Sequence, residues 1–242
     1  MNPVSTASYA SAALPTSLAV NAAARGDIPP SVALSPDGTV MAAPINGIPT
    51  APLLEPAAAR FDSARLNWIG STNRETTAAE QVALWEAQFL KHRMEPHPGI
   101  AFAFQWLKTH APVAERISLV HGDYRLGNFL FEDERITALL DWEMAHLGDP
   151  AEDIAWAYRS LWTPEIHLPI DGFVERYHAR GGPTIRPENL LFYRLFGEIK
   201  HAIISLTAAR SFADGRTNNL RMADRMTLAL PCIKQFLAWL PT

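Results

Sequence analysis

Between Ile117 and Leu140 three short apolar runs are cut by a polar loop and a charged turn, and this pattern constrains the chain more than any other stretch. Ile117 to Val120 is rich in β-formers, while Asn128-Phe129-Leu130-Phe131 and Ile136-Thr137-Ala138-Leu139-Leu140 flank the turn Glu132 to Arg135. Runs this short, bounded by turn residues, form strands, and the last two read as a hairpin with a solvated tip. The surroundings read as helix. A capping-box pattern, Thr77-Ala78-Ala79-Glu80, opens a helix carrying Val82, Trp85 and Phe89 to about His92. A second starts at Pro98 and runs to about Lys108. Asp149-Pro150-Ala151-Glu152 starts a third, expected to reach about Leu161. Others are expected over about Asp171 to Arg180, from Pro187 to about Phe212, and from about Asn219 to Leu240 with a bend at Pro231. The fold class is α+β, mainly helical with a small β-hairpin.

Composition divides the chain in two. Residues 1–60 hold five charges (Arg25, Asp27, Asp37, Glu55 and Arg60), 9 of the 19 prolines, 15 alanines and one aromatic residue, Tyr9. Such a segment has too little large apolar surface to offset its ordering entropy, so 1–60 reads as a low-complexity, disordered segment and 61–242 as the folded unit. Ser11 to Ala24 is mildly apolar and ends in small residues, but no positive side chain precedes Arg25, which argues against an export signal. The segment also fits a mistranslated or truncated remnant of a longer protein.

A formal charge of −4 gives no basic stripe for nucleic acid. One cysteine, Cys232, excludes an internal disulfide and a cysteine-built zinc site. No run of eighteen apolar residues offers a membrane span. The expectation is a cytoplasmic protein with neither nucleic-acid nor membrane partners.

The chemistry concentrates between His121 and Asp153. Asp123 and Asn128 lie in the loop after the first strand, and Asp141 emerges at the end of the hairpin. Loops mounted on rigid strands are where reactive groups are commonly carried. A hairpin that brings 123, 128 and 141 together places two carboxylates and an amide oxygen around one point, a donor set suited to a hard cation such as Mg²⁺. Taken singly, each of these residues could serve as a turn or cap.

His121-x-Asp123, then Asn128, then Asp141-Trp142 followed by Gly148-Asp149-Pro150 and Asp153, resembles the aminoglycoside phosphotransferase-like family over roughly residues 65–240. Its nearest likeness is to the phosphotransferase branch that includes domains found beside acyl-CoA dehydrogenases. The resemblance implies a protein-kinase-like C-terminal lobe whose hairpin carries the catalytic loop. It implies Asp123 as the catalytic aspartate that accepts or orients the hydroxyl proton of a small-molecule acceptor, with Arg125 near the transferred phosphate. His121 belongs to the same loop, where it and Asp153 would hold its shape. Asn128 and Asp141 would bind Mg²⁺ against the phosphates of ATP.

The rest of that family's plan is not legible. No Gly-x-Gly-x-x-Gly precedes His121, and the first lysine is Lys91, on a helix. The chain therefore reads as a C-terminal lobe whose nucleotide-covering lobe is missing or degenerate, with little turnover expected unless a partner chain or second copy supplies that surface. Two other readings compete: a non-catalytic, pseudokinase-like binding module, and a metal-dependent hydrolase using His121, Asp123, Asp141 and His146. The three tryptophans Trp142, Trp156 and Trp162 read as core.

Overall fold

The computed structural model describes residues 72–132 and 135–241. The 1–60 segment read as disordered lies outside the described residues, as does the centre of the hairpin turn. The order is α1 (Thr77–His92), α2 (Pro98–Thr109), β1 (Ser118–Val120), β2 (Phe129–Glu132), β3 (Arg135–Leu139), β4 (His146–Gly148), α3 (Ala151–Ala157), α4 (Ile170–Ala179), α5 (Pro187–Ala213), α6 (Leu220–Asp224) and α7 (Ala229–Trp239). The α+β, mainly helical architecture is as expected. No helix among the described residues is long and apolar enough to cross a membrane.

Helix α5 is the spine. Leu195, Phe196, Ile199, Ala202, Ile203 and Leu206 form one apolar stripe, and Glu198, Lys200, His201 and Ser205 are buried on its other sides, so the helix lies inside the bundle. Helices α1, α2, α3 and α7 pack against it. Val82 and Phe89 of α1, Ile100, Phe104 and Leu107 of α2, and Phe236 of α7 join the same core. The two predicted apolar faces of α1 and α2 point where their spacing requires.

The strands form two separate antiparallel pairs. β2 and β3 make the hairpin, with Phe129 opposite Leu139, Leu130 opposite Ala138 and a bulge between Leu130 and Phe131. β1 pairs with β4, Ser118 opposite Gly148 and Val120 opposite His146. Three residues without alternation carry no strand signal of their own. β4 exists because β1 offers a partner and the Thr77 hydroxyl donates to the Leu147 carbonyl (3.2 Å).

That contact also corrects the capping-box reading. Thr77 is inside the helix, and the hydroxyl that meets Glu80 belongs to Thr76 (Oγ1 to Oε1, 2.6 Å). Helix α3 stops at Ala157, short of Leu161, where its last turn tightens: the Trp156 carbonyl accepts the Arg159 N–H (3.2 Å) and the Trp162 indole N–H (2.7 Å). The C-terminal helix is broken at a 3₁₀ turn, Arg225–Leu228. Pro231 does not bend it: it sits in the first turn of α7, where a missing N–H is harmless. The Asn219 carboxamide caps α6 by accepting from the Arg221 amide (3.0 Å), where the sequence placed the helix start.

Candidate active site

After β1 the chain turns sharply through His121-Gly122-Asp123. Gly122 has φ +82°, and a Cβ there would stand 2.5 Å from the Met144 carbonyl oxygen, so only glycine fits both the backbone and the space. Asp153, at the start of α3, accepts the His121 N–H through Oδ2 (2.7 Å) and the Gly122 N–H through Oδ1 (2.9 Å). Burial pushes its carboxyl up to about 6, against the pull of those two bonds. His121 is fully buried; its Nε2 donates to the Leu140 carbonyl (2.9 Å) and its Nδ1 accepts the Asp123 N–H (3.2 Å). Burial holds this imidazole down at about 4, so it is neutral at pH 7 and spans the loop and the end of the hairpin.

Asp123 is the point on which donors converge. Arg125 Nε lies 3.1 Å from both carboxylate oxygens, Trp156 Nε1 donates to Oδ1 (2.7 Å), and Asn128 Nδ2 donates to Oδ2 (2.8 Å) and to the Asp123 carbonyl (2.8 Å). Asn128 closes the 3₁₀ turn Leu126–Asn128 ahead of β2, and its carbonyl receives the Leu140 N–H (2.8 Å). That bond ties the loop to the strand end from which Asp141 emerges.

Asp141 follows β3 in the left-handed region, φ 67° and ψ 56°, the one non-glycine residue among those described with positive φ. Aspartate tolerates this conformation better than most residues. Its carboxyl is raised by burial and then by the charge of Asp123, with Arg125 opposing. Glu143, on the next 3₁₀ turn, is raised by burial and by both Asp141 and Asp123. The charges of Asp123, Asp141 and Glu143 thus oppose one another, which a cation would relieve.

The residues fit a hard divalent cation by donor chemistry. Asn128 spends its N–H on Asp123, leaving Oδ1 as the end of the amide that can face a metal. No cluster of three or more His, Cys, Asp or Glu with metal-site geometry occurs among the described residues. His146 is buried, with Nδ1 against the Met144 carbonyl (3.0 Å) and Nε2 against Glu152 Oε2 (3.1 Å), and His121 has both nitrogens engaged. The hydrolase constellation of His121, Asp123, Asp141 and His146 is therefore not assembled.

Beneath the loop lies a buried charged layer. Lys200 of α5, 1% exposed, donates to the Gly122 carbonyl (2.7 Å) and to Glu152 Oε1 (2.9 Å). Burial would raise the Glu152 carboxyl, but Lys200 and His146 outweigh it and hold it at about 2. His146 is raised: burial opposes its charge, and Glu152 overrides that.

The fold thus gathers Asp123, Asn128, Arg125, His121 and Asp153 around one loop and brings Asp141 to its edge. Sequence spacing missed Glu143, Trp156 and Lys200. Glu143 was within reach, standing two residues after Asp141. Trp156 had been read as core; it is buried, yet its N–H is bonded to Asp123. Lys200 gave no local signal at all. Asp149 stands one residue before the N-cap, Pro150, where it accepts the Ala151 N–H (2.9 Å) and also the carboxamide N–H of Asn189 (2.8 Å).

Comparison with known proteins bears on the family and the fold. A family model described as the phosphotransferase enzyme family matches residues 53–189. Mouse acyl-CoA dehydrogenase family member 10 is 35% identical over 108 residues, 43% of this chain and 10% of that protein. Mouse acyl-CoA dehydrogenase family member 11 is 33% identical over 157 residues, 57% of this chain and 20% of that protein. The chain therefore spans a small part of the length of these relatives. Among solved structures, an aminoglycoside phosphotransferase candidate from Ralstonia eutropha superposes with TM-score 0.61 at 25% identity, over 76% of this chain and 61% of that one. A macrolide 2'-phosphotransferase type I shares the fold with TM-score 0.52 at 22% identity, over 83% of this chain and 60% of that one. The fold is protein-kinase-like, as the motif implied. With a match to more than half its length, the chain belongs to the phosphotransferase enzyme family.

Proposed function

We propose that the chain serves phosphoryl transfer from ATP, with Mg²⁺, to a hydroxyl group of a small molecule. The observation that carries the reading is the 2.8 Å bond between Asn128 and Asp123, with the carboxylate of Asp141 in the same electrostatic field. One residue can then hold the acceptor's proton while the two beside it face a cation. Phosphoryl transfer calls mainly for positioning and charge neutralisation, which such a set supplies.

In this reading Asp123 orients the acceptor hydroxyl and accepts its proton as the new O–P bond forms and the bond from the γ-phosphorus to the departing ADP oxygen breaks. Arg125, bonded to Asp123, presents a guanidinium beside the incoming phosphoryl group. Asn128 and Asp141 would hold Mg²⁺, whose chemistry is to neutralise phosphate oxygens. His121 and Asp153 keep the loop in shape without touching substrate. Leu130 and Leu140, both half-exposed on the hairpin, offer apolar surface for a nucleotide base. Full turnover is expected to need a phosphate-covering surface from a second copy or a partner chain.

A second reading, a non-catalytic binding module, is favoured by one observation: both oxygens of Asp123 are already taken up by Arg125, Asn128 and Trp156. Titration calorimetry with Mg²⁺ and ATP separates the two. Binding heat that Asp141→Asn abolishes supports phosphotransfer; the absence of heat in the unaltered chain supports the binding module.

A further inference from the structure

The turn that carries Asp123 has almost no secondary structure to hold it. Its N–H groups at 121 and 122 go to Asp153, its N–H at 123 goes to His121, and the carbonyl of Gly122 goes to the ammonium of Lys200. That carbonyl belongs to the peptide whose other end is the Asp123 nitrogen. Lys200 is therefore one bonded contact from the backbone of Asp123, although 78 positions separate it from Gly122. The same ammonium lies 4.8 Å from the ring centroid of Trp156, whose indole N–H donates to Asp123 Oδ1, and 5.4 Å from that of Trp85. One buried cation thus touches both the peptide before Asp123 and the ring that holds its carboxylate.

We propose that Lys200 is the positioning residue for Asp123: by fixing the Gly122–Asp123 peptide and the Trp156 indole together, it sets the direction of the carboxylate. Glu152 is its counter-ion, and His146 completes the charge balance on the far oxygen of Glu152. A buried cation is costly unless it is paired and bonded, and here the cost maintains a geometry that apolar packing cannot specify. The catalytic half of this inference rests on the phosphotransfer reading; the structural half does not.

The test uses the full chain and the double variant Lys200→Met/Glu152→Gln, which removes the cation without stranding its partner. The readout is the indole N–H resonance of Trp156, assigned by its loss in Trp156→Phe and calibrated by its displacement in Asp123→Asn. The expected result is that the double variant moves this resonance in the direction of Asp123→Asn, while Glu152→Gln alone leaves it in place. Where turnover is measurable, kcat falls by about tenfold or more while the KM for Mg²⁺-ATP holds within about twofold. An unmoved indole resonance in a folded double variant overturns the proposal. Should that variant not fold, Lys200→Gln, which keeps a donor for Glu152 but is too short to span to Gly122 as well, takes its place. Loss of folding in both makes the residue purely structural and also overturns it. Absence of Mg²⁺-ATP binding by the unaltered chain would count against phosphotransfer and leave the indole result standing.

Discussion

The indole N–H of Trp156 donates to Oδ1 of Asp123 at 2.7 Å, joining the loop after β1 to a helix residue 33 positions further along. Trp156 is buried, so the bond forms away from competing water and directs the carboxylate. Trp156→Phe keeps most of the ring and deletes the donor. The expected outcome is a loss of about 1–3 kcal/mol in urea unfolding, together with a fall in turnover at unchanged Mg²⁺-ATP affinity.

Asp141 combines a left-handed backbone with a carboxylate whose charge is disfavoured by burial and by Asp123. Asparagine accepts the same backbone and carries no charge. Asp141→Asn should therefore bind Mg²⁺-ATP below detection in calorimetry, with folding stability unchanged or slightly raised. Asp141→Ala should also lose binding but cost about 1–2 kcal/mol of stability, because a left-handed alanine is strained. A destabilised Asp141→Asn that still binds would contradict the assignment.

Gly122→Ala meets two obstacles at once, the +82° φ and the Met144 carbonyl 2.5 Å from the new Cβ. Backbone must move to admit it. A destabilisation of about 2–4 kcal/mol is expected from the strain and the disturbed bonds to Asp153 and Lys200. Urea denaturation monitored by tryptophan fluorescence measures it.

The pH dependence of stability follows from two opposed pairs. Burial holds His121 at about 4 and His201 at about 3, below the ordinary 6.5. Their contribution is full above pH 6.5 and is lost as pH falls toward those values. Burial raises Asp149 and Asp153 from 3.8 to about 6, so their contribution is full below 3.8 and is lost as pH rises through 6. Between pH 6 and 4 each group changes stability by up to about 1.4 kcal/mol per pH unit, two in each direction. Glu152, held at about 2 against an ordinary 4.5, adds stability that disappears as pH falls from 4.5 toward 2. The two directions oppose each other between pH 6 and 4, with the raised carboxyls of Asp141 and Glu143 on the side of Asp149 and Asp153, and stability falls below 4 as Glu152 protonates. Asp149→Asn keeps an acceptor for the cap but removes one of the opposing groups. Relative to the unaltered chain its stability should decline as pH falls from 6 to 4 in urea melts, and a curve parallel to that of the unaltered chain would refute this.

The hairpin and the helices over Thr77–His92, Pro98–Thr109, Ile170–Ala179 and Pro187–Ala213 were readable because each is written in local periodicity and punctuated by turn or cap residues. So was the grouping of Asp123 with Asn128, five positions apart and joined within a single loop. The short strand β4 was not, since its pairing with β1 is decided by a partner 28 residues earlier. Nor was the early end of α3, where the Trp156 carbonyl bonds the Arg159 N–H and the Trp162 indole.

The sequence by itself determined the family motif, the helical surroundings and the oxygen-donor character of the site, because these depend on residue type and near spacing. Tertiary structure alone decided which buried groups hold that site. The indole of Trp156 on Asp123, the ammonium of Lys200 on Gly122 and the charge balance of Glu152 with His146 arise where α3 and α5 pack beneath the loop. A buried polar group bonds to whatever partner the packing brings within reach, and no local pattern records which residue that will be.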